Sequence, residues 1–159
     1  MRVEQRLAEL GLNLPEAMPV PAGLVLPFPW VRVLRDRVYL SGHGPLLSDG
    51  SLWPDRGKVG ADLTEDQAYD AARATGLAML SSLKRELGDL DRVTAWLRVF
   101  GMVNVAPGFN RTPAVINGFS DLIIDLWGPD AASHARSAIG VAGLPLDLPV
   151  EIEAEVAID

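Results

Sequence analysis

Residues 134–159 read HARSAIGVAGLPLDLPVEIEAEVAID, and the way this stretch folds decides how the rest of the chain is arranged. In VEIEAEVAI (150–158), Val150, Ile152, Ala154, Val156 and Ile158 alternate with Glu151, Glu153, Glu155 and Ala157. A period of two is that of a β-strand with one apolar face and one face bearing carboxylates. Upstream, ARSAIGV (135–141) reads as a second strand that opens on Arg136 and continues through the small residues Ser137, Ala138 and Gly140. The three glutamates are either solvated on a half-exposed sheet or, where another subunit covers that face, in need of partners. Arg136 beside small residues suits a small carboxylate ligand and equally suits an ion pair with a neighbouring subunit; spacing alone favours the ion pair. A simple hairpin through LPLDLP would place Arg136 near Ala157, far from Glu151, so local pairing builds no site from the two.

Working outward, residues 3–11 carry Val3, Leu7 and Leu10 at helical spacing and end at Gly11. Residues 15–29 hold five prolines and read as an extended arm, too apolar at Leu24, Val25, Leu26, Phe28 and Trp30 to be a solvated tail. Residues 30–41 form a hairpin turning near Arg35–Asp36, and SGHGP (41–45) ends its second strand. A polar loop over 45–63 follows. Thr64 and Gln67 then form a capping box that opens a helix whose buried stripe is Ala68, Ala72, Thr75, Met79 and Leu83, with Gly88 as its stop. VTAWLRVFGMVNV (93–105) is apolar on both faces, the pattern of a central strand covered on both sides. A second long helix starts near Pro113 with Thr112 as its cap, buries Val115, Phe119, Leu122, Ile123 and Leu126, and stops at Gly128–Pro129.

The order is two strands, helix, strand, helix, two strands. It predicts an α/β (α+β) fold with a single mixed sheet and two helices on one face. No third layer is available for the other face, so a partner subunit is the economical cover. The chain of 159 residues fits one domain, 1–159, with 1–29 as a helix and proline-rich arm.

Composition narrows the function classes. A formal net charge of −7 and scattered basic residues argue against a nucleic-acid groove. No apolar stretch reaches the roughly 20 residues that span a bilayer, and the alternating charges of MRVEQRLAELGL are not those of a secretory signal. With no cysteine there is no disulfide, thiolate nucleophile or cysteine metal site, which fits a cytoplasmic protein. Neither His43 nor His134 has metal-ligand spacing.

ARSAIGVAGLP (135–145) with VEIEAEV (150–156), preceded by SGHGP (41–45) and GDLDRV (88–93), resembles the signature elements of the RidA (YjgF/YER057c/UK114) family, in order and spacing from about Phe28 to Ile158. The longer N-terminus and the loops around 49–62 and 104–113 resemble a divergent bacterial branch described as endoribonuclease-like or chorismate-mutase-like. The resemblance implies a chorismate-mutase-like fold, a homotrimer with intersubunit clefts, and terminal strands that are not sheet neighbours. It implies that Arg136 grips the carboxylate of a 2-imino or 2-enamino acid and that Glu151 positions the attacking water. Ser41, Gly42 and Asn117 would line the same cleft. The implied reaction is hydrolysis to a 2-keto acid and ammonia, with no metal or organic cofactor. The chain departs from the family pattern at three places. Ala138 stands where the family has cysteine, Phe28 where it has an aromatic hydroxyl, and His43 where it has glutamine. Those departures keep open a non-enzymatic trimer that binds a small carboxylate and regulates a partner; a third reading, endoribonuclease, rests on family naming. His134, beside Arg136, reads as a loop residue.

Overall fold

Strand β5 (Val150–Ile158) carries the alternating stretch, and it lies in the middle of the sheet. The computed structural model describes residues 2–159. Its other elements are α1 (Arg2–Glu9), β1 (Val31–Leu34), β2 (Arg37–His43), α2 (Glu65–Leu87), β3 (Val93–Asn104), α3 (Thr112–Ala131) and β4 (Ala135–Val141). The five strands run in the order β1-β2-β5-β3-β4. All neighbours are antiparallel except β3 and β4. A parallel pair needs a crossover, and α3 supplies it. The last two strands are thus not neighbours: β4 is an edge strand, and β3 separates it from β5.

The periodicity of β5 dictates its placement. Val150, Ile152 and Val156 are fully buried and Ile158 nearly so, all against the helical layer. The predicted stripes of α2 and α3 face the same core, which also holds Trp96, Val99 and Val103 of β3. Thr64 and Gln67 close the expected capping box on α2, with hydrogen bonds of 2.9 and 3.1 Å, and Gly88 ends that helix at φ 79°. The two long helices approach closely because Gly118 has no side chain: a Cβ there would collide with the backbone carbonyl of Tyr69.

Four sequence expectations need correction. Thr112 does not cap α3; Arg111 occupies that position without a side-chain cap, and the Thr112 hydroxyl donates instead to the Ala138 carbonyl at 2.9 Å. The start of α3 is thereby tied to the edge strand. The helix does break at Gly128 (φ 81°, ψ 166°), but one more turn continues to Ala131. SGHGP does not end β2 at Ser41. The strand continues to His43 through a bulge in which Ser41 and Gly42 both fall between the Leu40–Ala154 and His43–Ile152 pairs. Finally, β3 is covered on one face only within the chain: Arg98 is exposed, and Phe100 and Met102 are half-buried.

The N-terminal segment adopts the expected helix and arm. Val3 and Leu7 bury α1, and Asp91 accepts from the backbone N–H groups of Arg2 and Val3. These bonds hold the Asp91 carboxyl down at about 2. The Ser81 hydroxyl donates to the Pro15 carbonyl at 2.6 Å and the Glu16 N–H to the Ser48 carbonyl at 2.9 Å, which fixes the start of the arm over α2 and the following loop. Farther along, Leu24 and Val25 stand 54% and 86% exposed, so the apolar character of the arm is not spent within the chain. No helix among the described residues is long and apolar enough to cross a membrane.

Candidate functional site

The residues singled out from the sequence fall into two groups on opposite faces of the sheet. Arg136 pairs in register with Val99 of β3, an inward-facing position, so its side chain leans over the N-terminal half of α3. One guanidinium nitrogen donates to Asn117 Oδ1 at 2.9 Å and to Ser120 Oγ at 3.0 Å; the other terminal nitrogen donates to the Pro113 carbonyl at 3.3 Å. Asn117 and Ser120 stand three residues apart on α3 and so share a helix face. Ala138, two residues along β4, turns the same way and packs against the core.

Ser120 is itself held in place. Its oxygen lies 2.9 Å from His134 Nε2, while His134 Nδ1 lies 2.7 Å from the Ala132 carbonyl. A carbonyl only accepts, so Nδ1 carries a proton; in the neutral tautomer Ser120 then donates to Nε2, and it accepts from Arg136. The guanidinium is oriented entirely by neutral oxygens and forms no ion pair among the described residues. Burial lowers its pKa from the ordinary arginine value, and the more distant Asp121 charge opposes that shift. It remains a cation whose other donors are uncommitted. An ion pair with a carboxylate of its own chain is therefore not what Arg136 is for.

Glu151 sits two strands away. Its register partner is Met102, on the face opposite to that of Val99 and Arg136. The bulge in β2 brings Gly42 against it: a Cβ on Gly42 would lie 2.9 Å from the Glu151 carboxyl carbon. Glycine lets the carboxylate rest this close; a Cβ here would push the end of the Glu151 side chain aside. Glu151 is half-buried, and burial followed by repulsion from Glu153 raises its pKa above the ordinary carboxylate value. Ser41, the other bulge residue, donates its hydroxyl to the Pro29 carbonyl at 2.8 Å and so anchors the chain entering β1.

Gly42 and Glu151 open into an apolar cavity of about 410 Å3, which Phe28 also lines. Phe28 meets Trp30 edge to face at 5.7 Å between ring centroids, and Trp30 lies 5.3 Å from the ring of His43. His43 is 6% exposed and its two nitrogens are engaged, Nδ1 with the Ser41 carbonyl at 2.6 Å and Nε2 with Ser82 Oγ at 2.9 Å. Arg85 donates to that same serine at 3.0 Å. The order His–Ser–Arg found at His134–Ser120–Arg136 thus recurs as His43–Ser82–Arg85. Burial lowers the His43 pKa, against the pull of the Ser41 carbonyl, and the Arg85 charge adds to the lowering. His43 is a neutral, fixed wall of the cavity as well as a strand-end residue.

Phe28, Gly42 and Glu151 are therefore together, with Ser41 adjacent, and Arg136, Asn117 and Ala138 are together elsewhere. Sequence reasoning missed Ser120, which the i, i+3 spacing from Asn117 could have found. It also missed Ser82 and Arg85, for which no local signal exists because the contact to His43 spans 39 positions.

A sheet whose parallel edge pair is joined by α3, with an uncommitted arginine on that edge and a carboxylate beside a strand bulge, defines an α/β protein of the chorismate-mutase-like type. Comparison makes the assignment specific. Residues 4–151 match the family model described as "YjgF/chorismate mutase-like, putative endoribonuclease". The Trypanosoma cruzi protein TCP17 is 36% identical over 158 residues, covering 99% of this chain and 95% of TCP17. The crystal structure of a protein from Shewanella oneidensis, described as a "putative endoribonuclease", superposes with a TM-score of 0.89 at 27% identity, covering 99% of this chain and all (100%) of that one. Escherichia coli TdcF with bound serine shares the fold, with a TM-score of 0.59 at 20% identity, over 91% of this chain and 99% of TdcF. The chain belongs to the YjgF/RidA family.

Proposed function

We propose that the protein hydrolyses 2-imino or 2-enamino acids to 2-keto acids and ammonia. The observation that carries this reading is Arg136, a cation oriented by Asn117, Ser120 and the Pro113 carbonyl with no carboxylate partner. Holding a guanidinium in place with neutral oxygens keeps its charge available for an incoming carboxylate and its fork aligned for two hydrogen bonds. TdcF, which shares the fold, binds serine, a molecule that also bears a carboxylate.

In the proposed reaction the Arg136 fork fixes the carboxylate and so the plane of the C=N bond. Glu151 accepts a hydrogen bond from water and aims its oxygen at the imine carbon. The water oxygen adds to that carbon as the nitrogen takes up a proton. A second proton transfer to nitrogen and collapse of the carbinolamine expel ammonia and leave the keto oxygen. Water supplies both the oxygen and the two protons, so no oxidant or reductant is involved. Orientation and electrostatics are the whole of the catalytic contribution, and the step requires no metal or organic cofactor. Since Arg136 and Glu151 lie on opposite faces with β3 between them, one substrate meets both only if a neighbouring subunit supplies one of them. We place the site in the intersubunit cleft of a homotrimer.

The test is ammonia release from 2-iminobutanoate generated in situ. We expect acceleration by the purified protein and its loss in Arg136→Ala; undiminished acceleration by that variant would overturn the mechanism. The apolar Phe28 and Ala138 at two site positions favour a second reading, a carboxylate-binding regulator. That reading predicts saturable, Arg136-dependent binding of a 2-keto acid with no turnover. Ribonuclease activity sits poorly with a net charge of −7, and absence of RNA cleavage by rigorously purified protein would dispose of it.

A further inference from the structure

The cavity beside Glu151 is far larger than a three- or four-carbon imino acid requires. Its volume is about 410 Å3, whereas an apolar cavity of about 150 Å3 already holds benzene. Its walls include Met18, Phe28, Trp30, Leu46, Ala78 and Leu148, so the lining is aromatic and aliphatic and comes from the arm, β2, the loop after it, α2 and the turn before β5. A small polar substrate would leave most of this space to water against apolar walls.

Of the polar side chains that line the cavity, His43, Ser82 and Arg85 on its floor are hydrogen-bonded within the protein, and the Glu151 carboxylate stands apart from them where the reacting carbon would lie. His43 spends both ring nitrogens on the Ser41 carbonyl and Ser82, and Ser82 accepts from Arg85. An apolar group can rest on that floor without stranding a buried donor or acceptor. At the rim, Val20, Phe28 and Leu146 are 43%, 46% and 59% exposed, so the entrance presents apolar surface that an inserted side chain would cover. The arm that closes one side is tied down by the Ser81–Pro15 and Glu16–Ser48 hydrogen bonds.

We propose that this cavity is the side-chain pocket of the substrate, and that the protein prefers 2-imino acids, and their 2-keto acid products, with aromatic or large branched side chains. The proposal rests on the hydrolytic reading above. The reacting carbon lies beside Glu151, the carboxylate points out of the cavity toward Arg136 of a neighbouring subunit, and the side chain runs inward between the arm and α2. Phe28, where the family has an aromatic hydroxyl, becomes a specificity residue that packs on a ring.

Product binding tests the pocket independently of turnover. Calorimetric titration with phenylpyruvate and with pyruvate should give at least about tenfold tighter binding of phenylpyruvate, as burial of a ring predicts. Ala78→Leu, which grows a side chain into the cavity, should weaken phenylpyruvate at least about tenfold and pyruvate far less. Phe28→Ala, at the exposed rim and safe for folding, should weaken phenylpyruvate several-fold and decides the matter if the α2 variant misfolds. Equal affinity for the two acids, or phenylpyruvate binding indifferent to the variants that fold, overturns the proposal. Phenylpyruvate bound as described, without hydrolysis of any imine, would sink the enzymatic reading and leave the pocket standing. Hydrolysis confined to small imines, with no phenylpyruvate binding, would do the reverse.

Discussion

Glu151 is a carboxylate kept where a carboxylate is costly: half-buried, near Glu153, with no hydrogen-bond donor to the side chain among the described residues. Its folded pKa is raised above its unfolded value, so its contribution to stability is complete below the unfolded value. That contribution is lost as pH rises through the folded one. At neutral pH the charge opposes folding. We therefore expect Glu151→Gln to be equal to the parent in thermal stability near pH 4 and equal or up to about 1 kcal/mol more stable at pH 7, with imine hydrolysis lost. Melting curves at the two pH values check the sign; a variant clearly less stable at pH 7 would mean that the carboxylate serves the fold. Legibility at this scale divides by distance along the chain. Arg136, Ala138 and the glutamates stand in one readable stretch, and Asn117 came through the family resemblance. Ser120 and His134, which orient Arg136, and Ser82 and Arg85, which brace His43, depend on side chains meeting from separate elements, and single-residue chemistry does not announce that.

Periodicity located the elements because β5 and α3 each bury one side, although α2 is buried all the way round from Ala78 to Leu83. It could not place β5, since two successive strands most simply form a hairpin; only the family resemblance implied that they are not neighbours, and the structure shows β3 between them. The bulge was legible in hindsight: a glycine inside a strand pattern is a bulge signal as much as a stop. The contact between α2 and α3 shows how much one missing side chain decides. A Cβ at Gly118 would meet the Tyr69 backbone, which cannot step aside, whereas one at Gly76 would meet the ends of the Leu122 and Phe119 side chains, which can. Gly118→Ala should therefore cost about 1–3 kcal/mol through overpacking. Gly76→Ala should stay within about 1 kcal/mol of the parent, because helix propensity offsets part of its strain. Denaturant titrations of both variants measure the difference; equal effects would show that α3 can slide on α2.

At the scale of the molecule, the sheet has a helical layer on one side and no second layer from its own chain on the other. That open face carries Tyr39, Arg98, Phe100, Glu153 and Glu155 around a shallow hollow of about 190 Å3, with Arg37 paired to Glu155 at 3.1 Å. Three glutamates in alternation with inward aliphatics were readable as a strand with a charged face, but what covers that face is not encoded locally. The separation of Arg136 from Glu151 supplies the sharper constraint. If the two act on one substrate across a subunit boundary, each single variant retains half of every site. Mixing Arg136→Ala with Glu151→Gln subunits, unfolded together and reassembled at equal ratio, should then restore activity. Random pairing gives a boundary with Glu151 intact on one side and Arg136 intact on the other about one time in four, so about a quarter of parental activity is expected. Each variant reassembled alone should remain inactive. If both residues instead served a site within one chain, no mixture could contain an intact site and activity would stay absent at every ratio. Native mass spectrometry of the mixture, run alongside, resolves mixed from unmixed assemblies by the mass difference between the two variants, so that a silent mixture counts against the shared site and not against the reassembly.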